Sequence, residues 1–218
     1  MIGAEKFRHC NKIGRFAGVD QCEVATIVGM SKDCEARWLA ADEMPWRAGQ
    51  EGPISMVGVV ELLVKFELSK IGWRPYKNRS TVGKAIAPIF YNAFCYADNS
   101  LEVTGMPDDV DRFRDQFSKS TALADELTGG PHQFSYLYRC HDDHELDLAD
   151  DIATVINCAE RPKISYLNFR DLADGLCSRF RRPLLSVELV NKFPPSRNTG
   201  RWLSTARKDH LKQKWNLR

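Results

Sequence analysis

Two sets of residues in the chain have the types and spacing to do chemistry. The first is Cys140 to Asp147, CHDDHELD. His141 and His144 are three apart and share a face if the stretch is helical, and Cys140, Asp142, Asp143 or Glu145 could add ligands to a transition metal. Neighbouring Asp142 and Asp143 point in different directions, however, and no second cluster supplies further ligands at a recognised spacing. The simpler expectation is a polar turn whose acids lead into a helix and balance its dipole. No metal and no cofactor is assigned there. The second set is cationic: Lys6, Arg8, Lys12 and Arg15 near the start, Lys32 and Arg37 beside Asp33, and a tail with Arg201, Arg207 and Lys208. Its chemistry is the binding of phosphates rather than the making of bonds. No phosphate loop, dinucleotide fingerprint, G-x-S-x-G elbow or H-E-x-x-H stands anywhere in the chain, and Gly129-Gly130 lacks the Lys-Ser/Thr that would follow in a phosphate loop. A non-enzymatic protein is expected.

The elements that must position these cations centre on Gln21 to Ala41, QCEVATIVGMSKDCEARWLAA. An apolar helix pattern, a Gly-centred break and a second short helix make a helix-turn-helix. Ala25 stands where the first helix must be small to pack under the second, and Gly29 where the turn needs positive φ. Val24, Val28, Met30 and Trp38 fall at positions that bury. Ser31 is an N-cap for a second helix starting at Lys32, whose exposed face would carry Lys32, Asp33, Arg37 and also Glu35, at a position usually apolar. Upstream, Phe7, Ile13 and Phe16 could dock an N-terminal helical turn. Downstream, Gly49 and Gly52 in DEMPWRAGQEGPIS suggest a β-hairpin tip. Ser55 then caps a helix over Met56 to Ile71, closed by Gly72. Its apolar residues cover more than one side, so it is expected to be buried on two faces or against a partner subunit.

Helix, turn, helix, hairpin, helix is the order of a winged-helix module. Through EVATIVGMS, the Arg37-Trp38 pair, Arg47 before AGQEG, and the helix ending in KIG, residues 21 to about 74 resemble the N-terminal DNA-binding domain of the MerR family. The resemblance implies that the second helix reads the major groove, that the wing lies along the backbone, and that dimers bind palindromic operators. It implies groove-facing Ser31, Lys32, Asp33 and Arg37, with Arg47 and Gln50 on the wing. The chain departs from the family pattern at Glu35 and in lacking a second Arg beside Arg37.

Residues 75 to 98 start irregularly at Pro75, and Pro88 argues against one uninterrupted helix; IFYNAFCY reads as a buried strand or packed turn. From Asn99 a second module is expected. SLEVTG is a strand, a helix begins at Pro107 with Val110, Phe113 and Phe117 at helical spacing, and QFSYLYRC is another strand. HELDLADDIATVINCAE reads as a helix, KISYLNFRDLADGLCSRF as a strand and a third helix, and LLSVELV as a final strand. The fold class is therefore α+β: a winged helix-turn-helix over 1–80, a small α+β domain over 81–191 whose order suits a ferredoxin-like arrangement, and a basic tail over 192–218. The tail holds four Lys and four Arg against one Asp, and interleaves them with Trp202 and Trp215, which suits phosphate contacts with stacking.

The whole chain of 218 residues has 43% hydrophobic residues and a formal charge of only +2. It has enough apolar content for a core and too mild a charge to demand a nucleic-acid partner globally. Seven cysteines without a C-x-x-C pair suggest reduced thiols in a cytoplasm, and no apolar run approaches the roughly 20 residues of a membrane helix. The reading that gathers these features is a sequence-dependent, DNA-binding transcriptional regulator of bacterial, phage or mobile-element origin, cytoplasmic, homodimeric, with double-stranded DNA as partner. The alternative is an adaptor or inhibitor that turns a winged-helix scaffold against a protein partner; a metal-dependent enzyme rests on residues 140–147 alone.

Overall fold

The first helix, α1 (Gln21–Val28), buries Val24, Ala25, Ile27 and Val28. It stops because Gly29 takes the left-handed conformation (φ 83°, ψ 26°). The Gly29 amide then donates to the Thr26 carbonyl at 3.1 Å and the Met30 amide to the Ala25 carbonyl at 2.8 Å, the paired bonds of a Schellman end. Ser31 follows as the N-cap of α2 (Lys32–Ala40), its Oγ accepting from the Cys34 amide at 3.2 Å. The computed structural model describes residues 10–44, 46, 52–73, 79–117, 121, 124, 125, 128, 134–140, 146–157 and 164–191. Its architecture is mixed α+β, with seven helices and eight strands among those residues.

The chain enters α1 not from a helical turn but from β1 (Cys10–Phe16) and β2 (Gly18–Val19). β1 runs antiparallel to the last strand, β8 (Leu185–Asn191), with Gly14 opposite Val187. A partner so distant in sequence is invisible to local periodicity, which is why the expectation of a helical turn failed. β2 pairs antiparallel with β3 (Ile54–Ser55), and the Met56 amide donates to the Ala17 carbonyl at 3.1 Å. This short ribbon closes α1 and α2 into a loop; Arg47 and Gln50, the expected wing residues, lie outside the described residues. The helix α3 (Met56–Lys70) is capped by Ser55, whose Oγ accepts from the Gly58 amide at 3.2 Å, and is buried on more than one side by Val59, Val60, Leu63, Val64 and Leu68.

Two expectations are corrected by the next stretches. Residues 79–96 form one helix, α4 (Arg79–Tyr96), with Pro88 inside it. Proline removes one backbone hydrogen bond and costs about 3 kcal/mol in a helix interior, but Val82, Ala85, Ile89 and Ala93 are fully buried against α3 and the C-terminal helix. Burying such side chains contributes roughly 1.5–3 kcal/mol for each large one, so packing outweighs the proline. Further on, within the stretch read as one helix from His144, Asp147–Ala149 form a strand, β6, and among the described residues the helical part is Ile152–Asn157, as α6. Asp151 caps α6 by accepting from the Thr154 amide at 2.6 Å, and this bond holds its carboxyl below the usual carboxylate range.

The remaining elements follow the sequence pattern. β4 (Leu101–Thr104) leads to α5 (Pro107–Phe117), which starts on its proline with Asp108 and Asp109 in the first turn, where the dipole favours acids. β5 (Tyr136–Cys140), β7 (Ile164–Asn168) and α7 (Phe169–Phe180) complete the order. β4 joins β8 in parallel, giving a sheet ordered β1-β8-β4, while β6-β5-β7 form a separate antiparallel sheet. Among the described residues the strands thus fall into two three-stranded sheets and a ribbon, not the single four-stranded sheet of a ferredoxin-like domain.

One hydrophobic core runs through the molecule from Val19 to Leu184. It includes α1, α3 and α4, and on α7 it includes Phe169, Ala173, Leu176, Cys177 and Phe180. A smaller cluster of Phe113, Leu185, Val187 and Leu189 fills the space between α5 and the β1-β8-β4 sheet. Both the shared core and the β1–β8 pairing cross the expected boundary at residue 80. α7 packs on α4 and on α1, so the C-terminal half supports the first helix directly.

Candidate functional site

α2 has no fully buried residue, and its two sides divide cleanly. Cys34, Trp38 and Leu39 pack inward on the core. Trp38 meets Phe66 of α3 edge-on, with ring centroids 6.0 Å apart. The opposite side carries Lys32, Asp33, Ala36, Arg37 and Ala40, all exposed. These positions follow the spacing i, i+1, i+4, i+5, i+8, which is one continuous face of a helix. Glu35, expected on that face, is instead half-buried. The outward face therefore holds two cations and one carboxylate, with the small Ala36 and Ala40 leaving its middle free of bulk. Arg37 is steadied along the helix by its Nε, which donates to the Asp33 carbonyl at 3.3 Å. Ser31 stands exposed at the start of α2, at the positive end of the helix dipole.

Ser31, Lys32, Asp33 and Arg37 are thus brought together. Arg15 is exposed on β1, whose chain leads through β2 into α1. Arg47, Gln50, Arg201, Arg207 and Lys208 lie outside the described residues. Gln21 Nε2 donates to the Gly52 carbonyl at 3.4 Å, tying the start of α1 to the residues just ahead of β3.

Sequence reasoning missed a second set of cations beside α1. At the end of α7, Arg182 Nη2 lies 2.8 Å from Glu23 Oε2 of α1, and its guanidinium stacks 4.6 Å over the Phe180 ring. Arg179 reaches the turn between α1 and α2: a Cβ built on Gly29 would stand 3.3 Å from Arg179 Nη1. The run Arg179 to Pro183 is visible in the sequence as a basic segment ending a helix. Its neighbour is not, since Glu23 and Arg182 are 159 positions apart.

Two other places bear on chemistry. In the stretch 140–147, residues 141–145 lie outside the described residues; β5 ends at Cys140 and β6 begins at Asp147, with Tyr138 opposite Asp147 in an antiparallel pair. The stretch therefore connects two strands. Among the described residues, no group of three or more His, Cys, Asp or Glu is placed to hold a metal ion. On α4, burial pushes the Cys95 thiol and the Tyr91 phenol above their ordinary values, and on α7 burial pushes the Cys177 thiol up to about 11. A thiol held in its protonated form is a poor nucleophile, and Cys177, buried in the core, acts as a packing group. No helix of the described residues is long and apolar enough to cross a membrane. The chain matches no protein-family model, and it has no significant match among curated proteins or solved structures.

Proposed function

We propose that this protein binds double-stranded DNA and acts as a transcriptional regulator, with α1, the Gly29 turn and α2 serving as a helix-turn-helix and α2 entering the major groove. The observation that carries the reading is the outward face of α2. Lys32, Asp33, Ala36, Arg37 and Ala40 form one exposed strip on a helix held from behind by Trp38. A helix of this diameter fits the major groove, its N-terminal residues meeting base edges while the preceding helix crosses the backbone. Lys32 and Arg37 supply donors for bases or phosphates, and Ala36 and Ala40 permit close approach. Removal of Glu35 from the strip takes away one of the two repulsive carboxylates that the sequence suggested. Arg47 and Gln50 would extend the contact as a wing, and Arg15, Arg201, Arg207 and Lys208 would add phosphate contacts. A homodimer on a palindromic site follows from the resemblance to the MerR domain, as does the regulatory role. The reading is tested by fluorescence anisotropy with a labelled duplex of about 30 base pairs at low salt. Binding is expected, with loss of sequence preference in Lys32→Ala/Arg37→Ala; absence of binding, or binding untouched by that double change, refutes it.

A second reading is favoured by Asp33, which stands on the same strip as the two cations and offsets half of their charge. In that reading the strip docks on a protein and the chain is an adaptor or inhibitor. A stoichiometric protein partner that co-purifies without nucleic acid, and is lost in Asp33→Ala, distinguishes it from the first.

A further inference from the structure

We infer that Arg179, Arg181 and Arg182, at the C-terminal end of α7, form a second phosphate-binding strip alongside the helix-turn-helix, so that the C-terminal half of the chain contacts the DNA backbone next to the groove that α2 enters. This inference rests on the proposed reading of α2, and it adds residues of a remote helix to that interface.

The strip is contiguous with the start of α2. Arg179 Nη1 stands 3.3 Å from an ideal Cβ on Gly29, and Gly29 is two residues before Ser31. Consecutive Cα atoms are about 3.8 Å apart, which puts the guanidinium within roughly 12 Å of Ser31. Arg182 is fixed on the outer side of α1 through Glu23 at 2.8 Å, and Arg181 lies between the two in sequence, exposed, its Nε donating to the Ser178 carbonyl at 3.4 Å. Glu23 is in direct contact with Arg182, and Asp171 and Asp174 precede Arg179 on α7.

Helix stability alone does not account for these arginines. Arg181 caps α7 at φ 55°, a left-handed position that glycine fills with less strain. Gly175 lies inside α7, where alanine is more favourable, and the three atoms nearest to a Cβ built on it all belong to Arg179. At both positions a local preference of the helix is set aside for a guanidinium. The Arg182–Glu23 pair has both side chains about half exposed, at 53% and 46%, and a pair so open to water contributes little to folding. Arginine forks match phosphate oxygens in geometry, and backbone contacts of this kind set register and affinity without reading sequence.

The test is the salt dependence of binding to a random-sequence duplex of about 30 base pairs, measured by anisotropy between about 50 and 300 mM KCl. In Arg179→Gln/Arg181→Gln/Arg182→Gln the slope of log K against log salt should become shallower by about 2.7, close to 0.9 for each phosphate no longer neutralised. Affinity should fall alike for random and for selected sequences. Gly175→Ala keeps every charge and favours the helix, but brings a methyl to 3.3 Å from the Arg179 guanidinium, which must shift to make room. Its slope should become shallower by up to about 0.9 with an unchanged or higher melting temperature, which separates the effect from misfolding. If the wild type binds, and Lys32→Ala/Arg37→Ala loses sequence preference, yet the triple variant keeps the wild-type slope, this inference is overturned and the reading of α2 stands. If the wild type binds no duplex at about 50 mM salt, both fall.

Discussion

Replacing Ser31 with alanine removes the side-chain oxygen that caps α2, and the size of the effect follows from how little else holds that helix. The Ser31 Oγ accepts from the Cys34 amide at 3.2 Å, and none of the nine residues of α2 is fully buried. Short helices are marginal without tertiary support, and loss of an N-cap costs about 1 kcal/mol. That corresponds to roughly a fivefold rise in the fraction of time the first turn of α2 is open. Ser55→Ala is the internal comparison. It removes an equivalent bond, to the Gly58 amide at 3.2 Å, from a helix whose Met56, Val59, Val60, Leu63 and Val64 are completely buried. Amide hydrogen exchange measured segment by segment should show faster exchange confined to α2 in Ser31→Ala, recovered in Ser31→Thr. Ser55→Ala should instead lower the global melting temperature with no local increase, because α3 opens only with the whole core. Exchange in α2 within twofold of wild type, or a rise spread equally over α1, α3 and α4, would show that α2 is not the separately opening element described.

Four further outcomes follow from the core. Leu176→Ala empties a site with no exposure on α7 and should destabilise by about 2–5 kcal/mol in urea unfolding. Because one cluster spans Val19 to Leu184, tryptophan fluorescence and far-ultraviolet circular dichroism should move together, and two separate transitions would contradict a shared core. Cys177, pushed up to about 11 by burial and next by the Asp174 charge, keeps its proton in the folded state while the unfolded thiol ionises near 9. The contribution of Cys177 to stability is therefore full below pH 9 and should fall by roughly 2–3 kcal/mol toward pH 11, a share of the alkaline loss that Cys177→Ala should remove while the shares of Cys95 and Tyr91 remain. Alkylation at pH 8 read by mass spectrometry should modify exposed Cys22 and spare Cys177; equal labelling would show that α7 is not closed over its core.

What was legible in the sequence was local. Gly29 at the turn, Ser31 and Ser55 as caps, and Pro107 opening α5 each act through their own backbone, so their roles could be read from residue type and position. The strand β1 was not legible, because its partner is β8 at the far end of the chain. Pro88 misled because the rule against proline in a helix is a local cost, whereas the burial of Val82, Ala85, Ile89 and Ala93 that offsets it depends on α3 and α7. The same limit hid part of the candidate site. Lys32 and Arg37 could be named from the helix pattern, but that Glu35 is half-buried depends on how α2 is rolled by Trp38 against Phe66. The place of Arg179 and Arg182 depends on α7 lying against α1.

The most direct measurement of the central claim is photo-crosslinking from the middle of the α2 strip. A benzophenone amino acid placed at Ala36, which is exposed between Lys32 and Arg37, should crosslink to bases of a bound duplex. The same group at Gly83, exposed on α4 with nothing within 4 Å of an added Cβ, should not. Crosslinks from position 83 but not 36, or crosslinks from 36 to a protein in place of DNA, would contradict the account.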